Sequence, residues 1–389
     1  MRKIGILTYH HVANWGSALQ AVCIYKLLRK VYPDAIVEII DYVPQTSFTY
    51  NKKNLHRKKF GLPLKNERFY NRWQRCNEFL KEHSIFSKDR LITDDLSAGR
   101  DFLERQNYDA IFVGSDTVFQ LGPYSGNKYI AAPQAPNVYF LPFSSRVKKI
   151  GFAASVDPFR PEQLKNLDAS ALSEHLNDFA HIFFRDKTTQ DVLKSLGVAS
   201  ERISYIPDPS LMIDFDVFAK DPAGLPGGNL AGVAIGNSKL AAEVAATLTL
   251  MNYKPLDLLG GTGLSDKSVV RVKSVEEFMG LHRKLRLLVT DRFHGSIKAL
   301  AIGNCPVIGI EEVSKYPLPN SKLRDLFGRI GIEEMLVRYE GQTVNQNFVQ
   351  AALEKWRWNK IDIHRQIQQL RVTGLDSLKK SKVMFGDQN

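Results

Sequence analysis

Apolar positions along the chain fall into short runs of two alternating kinds. Residues 3–9 form a strand-sized apolar run, and 17–30 then carry apolar residues at 18, 19, 22, 24, 27 and 28, the spacing of a helix face. The β-branched stretch 36–42 predicts a second strand; 107–114 and 149–155 predict two more, each ending in small or polar residues. A second series begins near Asp178: strand 181–185, helix 188–196, strand 202–206, a Gly- and Pro-rich loop at 221–229, strand 230–235, helix 239–250 and strand 253–259. It continues with helix 274–283, opened by a capping-box pattern, strand 286–290, short helix 296–302 and strand 306–310. Apolar residues at 363, 367, 370, 375 and 378 mark a tail helix over 359–382.

Alternating strands and helices predict parallel sheets covered by helices on both faces. At 389 residues the chain exceeds what one core usually supports. The expected fold class is therefore α/β, with two Rossmann-like domains facing a cleft. They are placed at 1–178 and 179–358, with the tail helix packing back on the first. Three separated cysteines, Cys23, Cys76 and Cys305, give neither a disulfide framework nor a metal knuckle. The opening run is too short for a secretory core, and no stretch approaches a bilayer span, so a cytoplasmic protein is expected.

The 53 Lys and Arg against 41 Asp and Glu leave a formal charge of +12, which favours anionic partners. Part of it is concentrated: Lys52, Lys53, His56, Arg57, Lys58 and Lys59, then Lys65, Arg68, Arg72 and Arg75 interleaved with Phe69, Tyr70 and Trp73. One reading is a basic amphipathic helix that touches an anionic membrane or a lipid-linked phosphate. The other is an ordinary surface helix. No nucleic-acid motif accompanies the charge, so nucleic acid is not an expected partner.

Four strand-end segments carry candidate chemistry. Thr290-Asp291-Arg292-Phe293-His294-Gly295-Ser296 lies between a strand and a helix, where open α/β sheets bind ligands. Arg292 offers a planar fork for carboxylate or phosphate, His294 a proton near neutral pH, and Gly295-Ser296 a helix start that attracts anions. Equally, Arg292 pairs with a local acid and His294 caps the helix. Arg185, in Phe184-Arg185-Asp186-Lys187, supplies a second guanidinium expected beside the first, so that two neighbouring strand ends bracket a small dianion; an Arg185–Asp186 cap is the alternative. Ser115 and Asp116 follow the strand that ends at Gly114 and either face the ligand or cap a helix. Asn14 and Gly16 suit a tight turn against a ligand. Adjacent His10 and His11 lack a partnering ligand motif, and no metal is expected. Neither a P-loop nor a nucleophile elbow is present.

In this order the motifs resemble the polysaccharide pyruvyl transferase family. The resemblance rests on 3–9 with Asn14-Trp15-Gly16-Ser17, Asp109–Asp116, Gly151–Ser155, Phe184–Lys187, Asp208-Pro209-Ser210-Leu211 and Thr290–Gly295, over roughly 3–330. It implies a GT-B-like fold, phosphoenolpyruvate as donor, a glycan acceptor and formation of a pyruvyl ketal, with no cofactor. Positions matching the donor-binding pattern are Arg185, Arg292 and His294; Asp116 is the second catalytic candidate, and Asn14, Gly16 and Ser115 the acceptor-side ones. After Asp116 the chain departs from the family, with Thr117-Val118-Phe119-Gln120 replacing the more usual Gln-(Ile/Val)-Trp-Asn. One rival reading is a GT-B glycosyltransferase using a nucleotide sugar, with Glu311 or Glu312 holding the ribose. Another is a non-catalytic anion- or membrane-binding protein built on 52–75.

Overall fold

The computed structural model describes all residues except 60–61, 66, 123–131, 144–145, 215–216, 260–271, 304, 317 and 383–389, and leaves aside the side chains of 56–59, 62–65, 68, 166, 303 and 358. The alternating pattern becomes strands β1 (Lys3–Leu7), β2 (Ile36–Val43), a hairpin β3 (His56–Lys59) and β4 (Leu62–Lys65), β5 (Phe86–Ile92), β6 (Ala110–Val113), β7 (Lys148–Ala154), β8 (His181–Phe184) and β9 (Ile203–Tyr205). The later strands are β10 (Leu230–Ala234), β11 (Lys254–Asp257), β12 (Leu287–Thr290), β13 (Val307–Glu312) and β14 (Leu336–Tyr339). Helices are α1 (Trp15–Val31), α2 (Gln45–Asn54), α3 (Glu67–His83), α4 (Leu96–Arg105), α5 (Ala169–Asn177), α6 (Lys187–Ser195), α7 (Ser238–Leu250), α8 (Val275–His282), α9 (Phe293–Lys298), α10 (Lys322–Ile330) and α11 (Gln346–Lys380).

The chain divides into two compact units, 1–213 with 372–389, and 214–371. The first holds a parallel sheet in the order β5-β2-β1-β6-β7-β8-β9. The second holds a parallel sheet in the order β11-β10-β12-β13-β14. Successive strand residues point to opposite faces, so the unbroken buried runs of β6, β10 and β12 mean that both faces are covered. Each sheet has a Rossmann-type reversal of strand order, between β1 and β6 in the first and between β10 and β12 in the second. Ligands of open α/β sheets bind outside the carboxyl ends at such a reversal.

The domain boundary expected at 178 falls after 213 instead. β8 and β9 hydrogen-bond onto β7 and extend the first sheet, so Arg185 belongs to the first unit. The tail helix begins at Gln346, 13 residues before the expected start, and its end belongs with the first unit. There, a Cβ added at Gly374 would sit 2.7 Å from Pro207, and the Tyr32 hydroxyl meets Ser381 at 2.6 Å.

Candidate functional site

In the first unit the strand-order reversal brings two loops together. Asn14 caps α1 by accepting the Gly16 N–H at 2.8 Å, and this fixes where Ser17 sits. Ser17 Oγ donates to Asp116 Oδ2 at 2.6 Å across 99 residues of sequence. Gly114 makes this approach feasible. Its φ is +128°, and a Cβ there would lie 2.1 Å from the Phe152 carbonyl, so a larger residue would push the β6 end off β7. Asp116 then pairs with Ala154 in an isolated parallel bridge, and its Oδ1 accepts the Thr117 N–H at 2.8 Å. The helix-cap alternative for Asp116 is thereby replaced by a bridge position.

Beneath Asp116 lies Arg185, whose side chain has 0% exposure. Its Nη1 donates to Asp208 Oδ2 at 2.7 Å, and its Nη2 stands 3.8 Å from Asp116 Oδ1. Asp208 also accepts Gln20 Nε2 at 2.5 Å, the Ser210 hydroxyl, and the Ser210 N–H at 3.0 Å. Burial works against the charge on Arg185, but the charges of Asp208, Asp116 and Asp186 outweigh it and hold the guanidinium protonated. Asp186 caps α6 by accepting from Thr189 at 2.8 Å, and burial, together with repulsion from Asp157, pushes its carboxyl up. The expected open fork at Arg185 is thus a closed ion cluster, because carboxylates distant in sequence converge on it. Ser115 is fully buried, and its hydroxyl has no hydrogen-bond partner among the described residues.

His10 and His11 are both buried. The ring nitrogens of His10 face the Thr8 carbonyl at 3.2 Å and Asp41 Oδ1 at 3.1 Å. Burial raises the Asp41 carboxyl, yet the His10 contact and the charges of Arg90 and Lys81 more than offset this and leave it lowered. His11 packs edge-on against Tyr9.

The second unit presents a different picture. Asp291 and Arg292 follow β12, and Gly236 and Asn237 follow β10, on either side of the second reversal. The Arg292 side chain is 45% exposed, and its Nε lies 2.8 Å from Asp291 Oδ1. Asp291 Oδ2 accepts the Gly236 N–H at 3.0 Å. Arg292 is the cap residue of α9, which starts at Phe293 rather than at the expected 296, without a side-chain cap bond. His294 sits in the first turn of α9, partly buried, its ring edge-on to Phe293 and its Nε2 shielded from solvent. Gly295 has room for a Cβ, with the nearest atoms at 3.6 Å. The Ser296 hydroxyl donates to the Arg292 carbonyl at 3.1 Å, which ties it to the helix start and away from a ligand. Lys298, one turn beyond His294, is buried with its Nζ 4.7 Å from the Phe278 ring centre.

Among the sequence-derived candidates, the structure joins Asp116 to Arg185 in the first sheet and Arg292 to His294, Gly295 and Ser296 in the second. Arg185 and Arg292 stand on different sheets, so they are not the neighbouring strand ends the sequence suggested. Asn14 acts as a cap. Glu311, a candidate ribose ligand, is 0% exposed and clamped by Arg324 Nη2 at 2.9 Å and Arg338 Nη1 at 3.1 Å. Burial raises its carboxyl, but Arg324 and Ser321 bring it below the usual range. Sequence reasoning assigned no role to Ser17, Gln20, Asp208, Gly236 or Asp291. Asp291 adjoins Arg292 in the chain, and Ser17, Gln20 and Asp208 lie in or beside motifs quoted above, while Gly236 carries no local signal. The side chains of 56–59, 65 and 68 lie outside the described residues, while Phe69 and Trp73 are half-buried on α3. Among the described residues no helix is long and apolar enough to cross a membrane.

A family model described as polysaccharide pyruvyl transferase matches residues 14–312. No curated protein matches by sequence search. Among solved structures, a candidate UDP-N-acetylglucosamine 2-epimerase from Listeria monocytogenes is similar with a TM-score of 0.55 at 12% identity, covering 94% of this chain and 90% of that one. The UDP-GlcNAc 2-epimerase of Neisseria meningitidis, bound to UDP-GlcNAc, gives 0.52 at 10% identity and 99% of both chains. The glycotransferase of kitacinnamycin gives 0.51 at 10% identity, over 97% of this chain and 98% of that one. At such identities the likeness is one of fold, the GT-B arrangement of two Rossmann-like domains.

Proposed function

The chain belongs to the polysaccharide pyruvyl transferase family, and from that premise we propose that it moves pyruvate from phosphoenolpyruvate onto a glycan as a ketal. The observation that carries the reading is the pairing of a half-exposed guanidinium, Arg292, with an imidazole, His294, two residues apart at the strand-order reversal of the second sheet. Phosphoenolpyruvate carries about three negative charges near neutral pH, and a bound anion must regain in paired donors what it loses in hydration. Arg292 offers a fork that fits a carboxylate or phosphate in two-point fashion. His294, protonated, adds a proton to the methylene carbon. Positive charge develops on the neighbouring carbon, and an acceptor hydroxyl oxygen bonds there.

The carbon–oxygen bond to phosphate then breaks, phosphate leaves, and a second hydroxyl of the acceptor closes the ketal. Two hydroxyl protons are displaced in all. One balances the new methyl group by resetting His294, and the other departs with phosphate. The first unit is assigned the acceptor, with Asp116 as the carboxylate that receives a hydroxyl. Asn14 and Gly16 shape that loop rather than touch sugar. Arg185 serves this unit by neutralising Asp116 and Asp208. The basic segment 52–75 is the part of the chain suited to a lipid-linked acceptor or an anionic membrane surface.

A positioned acid contributes about 10²–10⁴-fold. His294→Ala should therefore lower phosphate release from phosphoenolpyruvate by about that factor while donor binding persists. Equal turnover of the two proteins removes His294 from the role. Mass spectrometry of glycans incubated with donor should show a gain of one pyruvate. The rival nucleotide-sugar reading predicts instead that UDP-sugars, and not phosphoenolpyruvate, raise the melting temperature.

A further inference from the structure

We infer that Asp291 and Gly236 are positioning residues that hold the Arg292 guanidinium as a preset fork for the anionic donor; this rests on the reading above. An arginine side chain in water samples many rotamers, and a ligand that must order it binds more weakly for that reason. Here the ordering is already in place. The Asp291 side chain is 8% exposed; its Oδ1 forms an ion pair with Arg292 Nε at 2.8 Å without hydrogen-bond alignment, and its Oδ2 accepts the Gly236 N–H at 3.0 Å.

The backbone beneath this carboxylate is fixed as well. The Asp291 N–H donates to the Ala234 carbonyl at 3.2 Å, the Arg292 N–H to Thr290 Oγ1 at 2.9 Å, and that hydroxyl donates in turn to Ala234 at 3.0 Å. The clamp thus spans both strand ends at the reversal. It engages Nε and leaves the Nη1–Nη2 edge, with four N–H groups, to serve a carboxylate or phosphate.

Gly236 sets the height of the fork. A Cβ there would come within 2.5 Å of Arg292 Nη2 and 3.3 Å of Asp291 Oδ2. The nearer atom is the far end of a flexible side chain, so a methyl group displaces the guanidinium and leaves the fold intact. Asp291→Asn separates positioning from simple charge. An amide keeps one oxygen, which can accept the Gly236 N–H, and turns an uncharged NH₂ toward Arg292 Nε, so the ion pair is lost and the clamp opens. A purely electrostatic role predicts the opposite sign, because removing a negative charge should help an anion bind.

The test is calorimetric titration of wild type, Gly236→Ala and Asp291→Asn with phosphoenolpyruvate and, separately, inorganic phosphate. Melting curves and phosphate-release kinetics accompany it. Displacing a charged hydrogen-bonding group typically costs tenfold to about a hundredfold in affinity. Both variants should lose that much for either anion, with KM for phosphoenolpyruvate rising by a like factor, kcat within about threefold and melting temperature within about 2 °C. Unchanged affinity in Gly236→Ala, or tighter binding in Asp291→Asn, overturns the clamp. If wild type binds phosphate but not phosphoenolpyruvate, the pyruvyl reading fails and the phosphate series still judges the clamp. Binding of neither anion overturns both.

Discussion

Each unit places one arginine just past a strand end, and each arginine has an aspartate partner, yet the two are opposite in kind. Arg185 has no exposed side-chain surface and is bracketed by Asp208 and Asp116. Arg292 is 45% exposed and meets its carboxylate on the Nε side alone. Partnering at one edge leaves a guanidinium able to grip something else; partnering at several turns it into a counter-ion. The same residue type after the same kind of strand therefore does different work, and what decides is how many carboxylates the fold brings to it.

Removing each arginine should break them apart most sharply. Arg185→Ala strands two carboxylates in a buried site, and loss of one partner from a buried ionic cluster costs about 3–5 kcal/mol. Urea unfolding should show that loss, with Arg185→Lys recovering part of it. If Arg185→Ala unfolds like wild type and instead fails to bind phosphoenolpyruvate, Arg185 is a ligand and the contrast is gone. Arg292→Ala should do the reverse. Only the Arg292 half of this pair reaches solvent, so the loss of stability should be smaller than for Arg185→Ala, while donor affinity falls by tenfold to about a hundredfold. Arg292→Lys should keep only part of that affinity, since an ammonium cannot span two oxygens. Calorimetry on the three variants reads both halves of the contrast.

The same contrast marks how far the sequence could be read. Periodicity located the principal strands of both sheets, because buried parallel strands advertise themselves as β-branched runs. It did not reveal which sheet 181–184 and 203–205 would join. That choice is made by hydrogen bonds to β7, and nothing in a four-residue strand records it. The misplacement of Arg185 follows directly. Phe184-Arg185-Asp186 looks the same whether its strand end is open or covered, and the residue that covers it, Asp208, lies 23 positions on. Arg292 was legible because its partner is adjacent in the chain. The surroundings of Asp116 were not legible, since Ser17 reaches it across 99 residues. The edge strands β5 and β14 went unread, their burial being partial and their pattern correspondingly faint.

Buried ionisable groups sharpen the contrast by a smaller effect. The first unit keeps a buried cation by surrounding it with anions; the second keeps His282 by leaving it uncharged. His282 is fully buried on α8, and one ring nitrogen meets the Phe278 carbonyl at 2.8 Å. Burial, reinforced by the Lys298 charge and only partly opposed by that carbonyl, pulls its pKa down from 6.5 to about 3. Between those values the unfolded chain takes up a proton that the folded protein refuses. Stability is therefore full above pH 6.5 and declines as pH falls toward 3, by up to about 1.4 kcal/mol per pH unit. Burial also lowers His175, His181 and His364, so the wild-type slope alone does not isolate His282. The difference between wild type and His282→Leu does. Urea midpoints taken from pH 7 to pH 5, above the range where most carboxylates titrate, should fall more steeply for wild type than for the variant. Parallel curves would mean that His282 titrates in the folded protein as it does in the unfolded chain, and this part of the contrast would be gone.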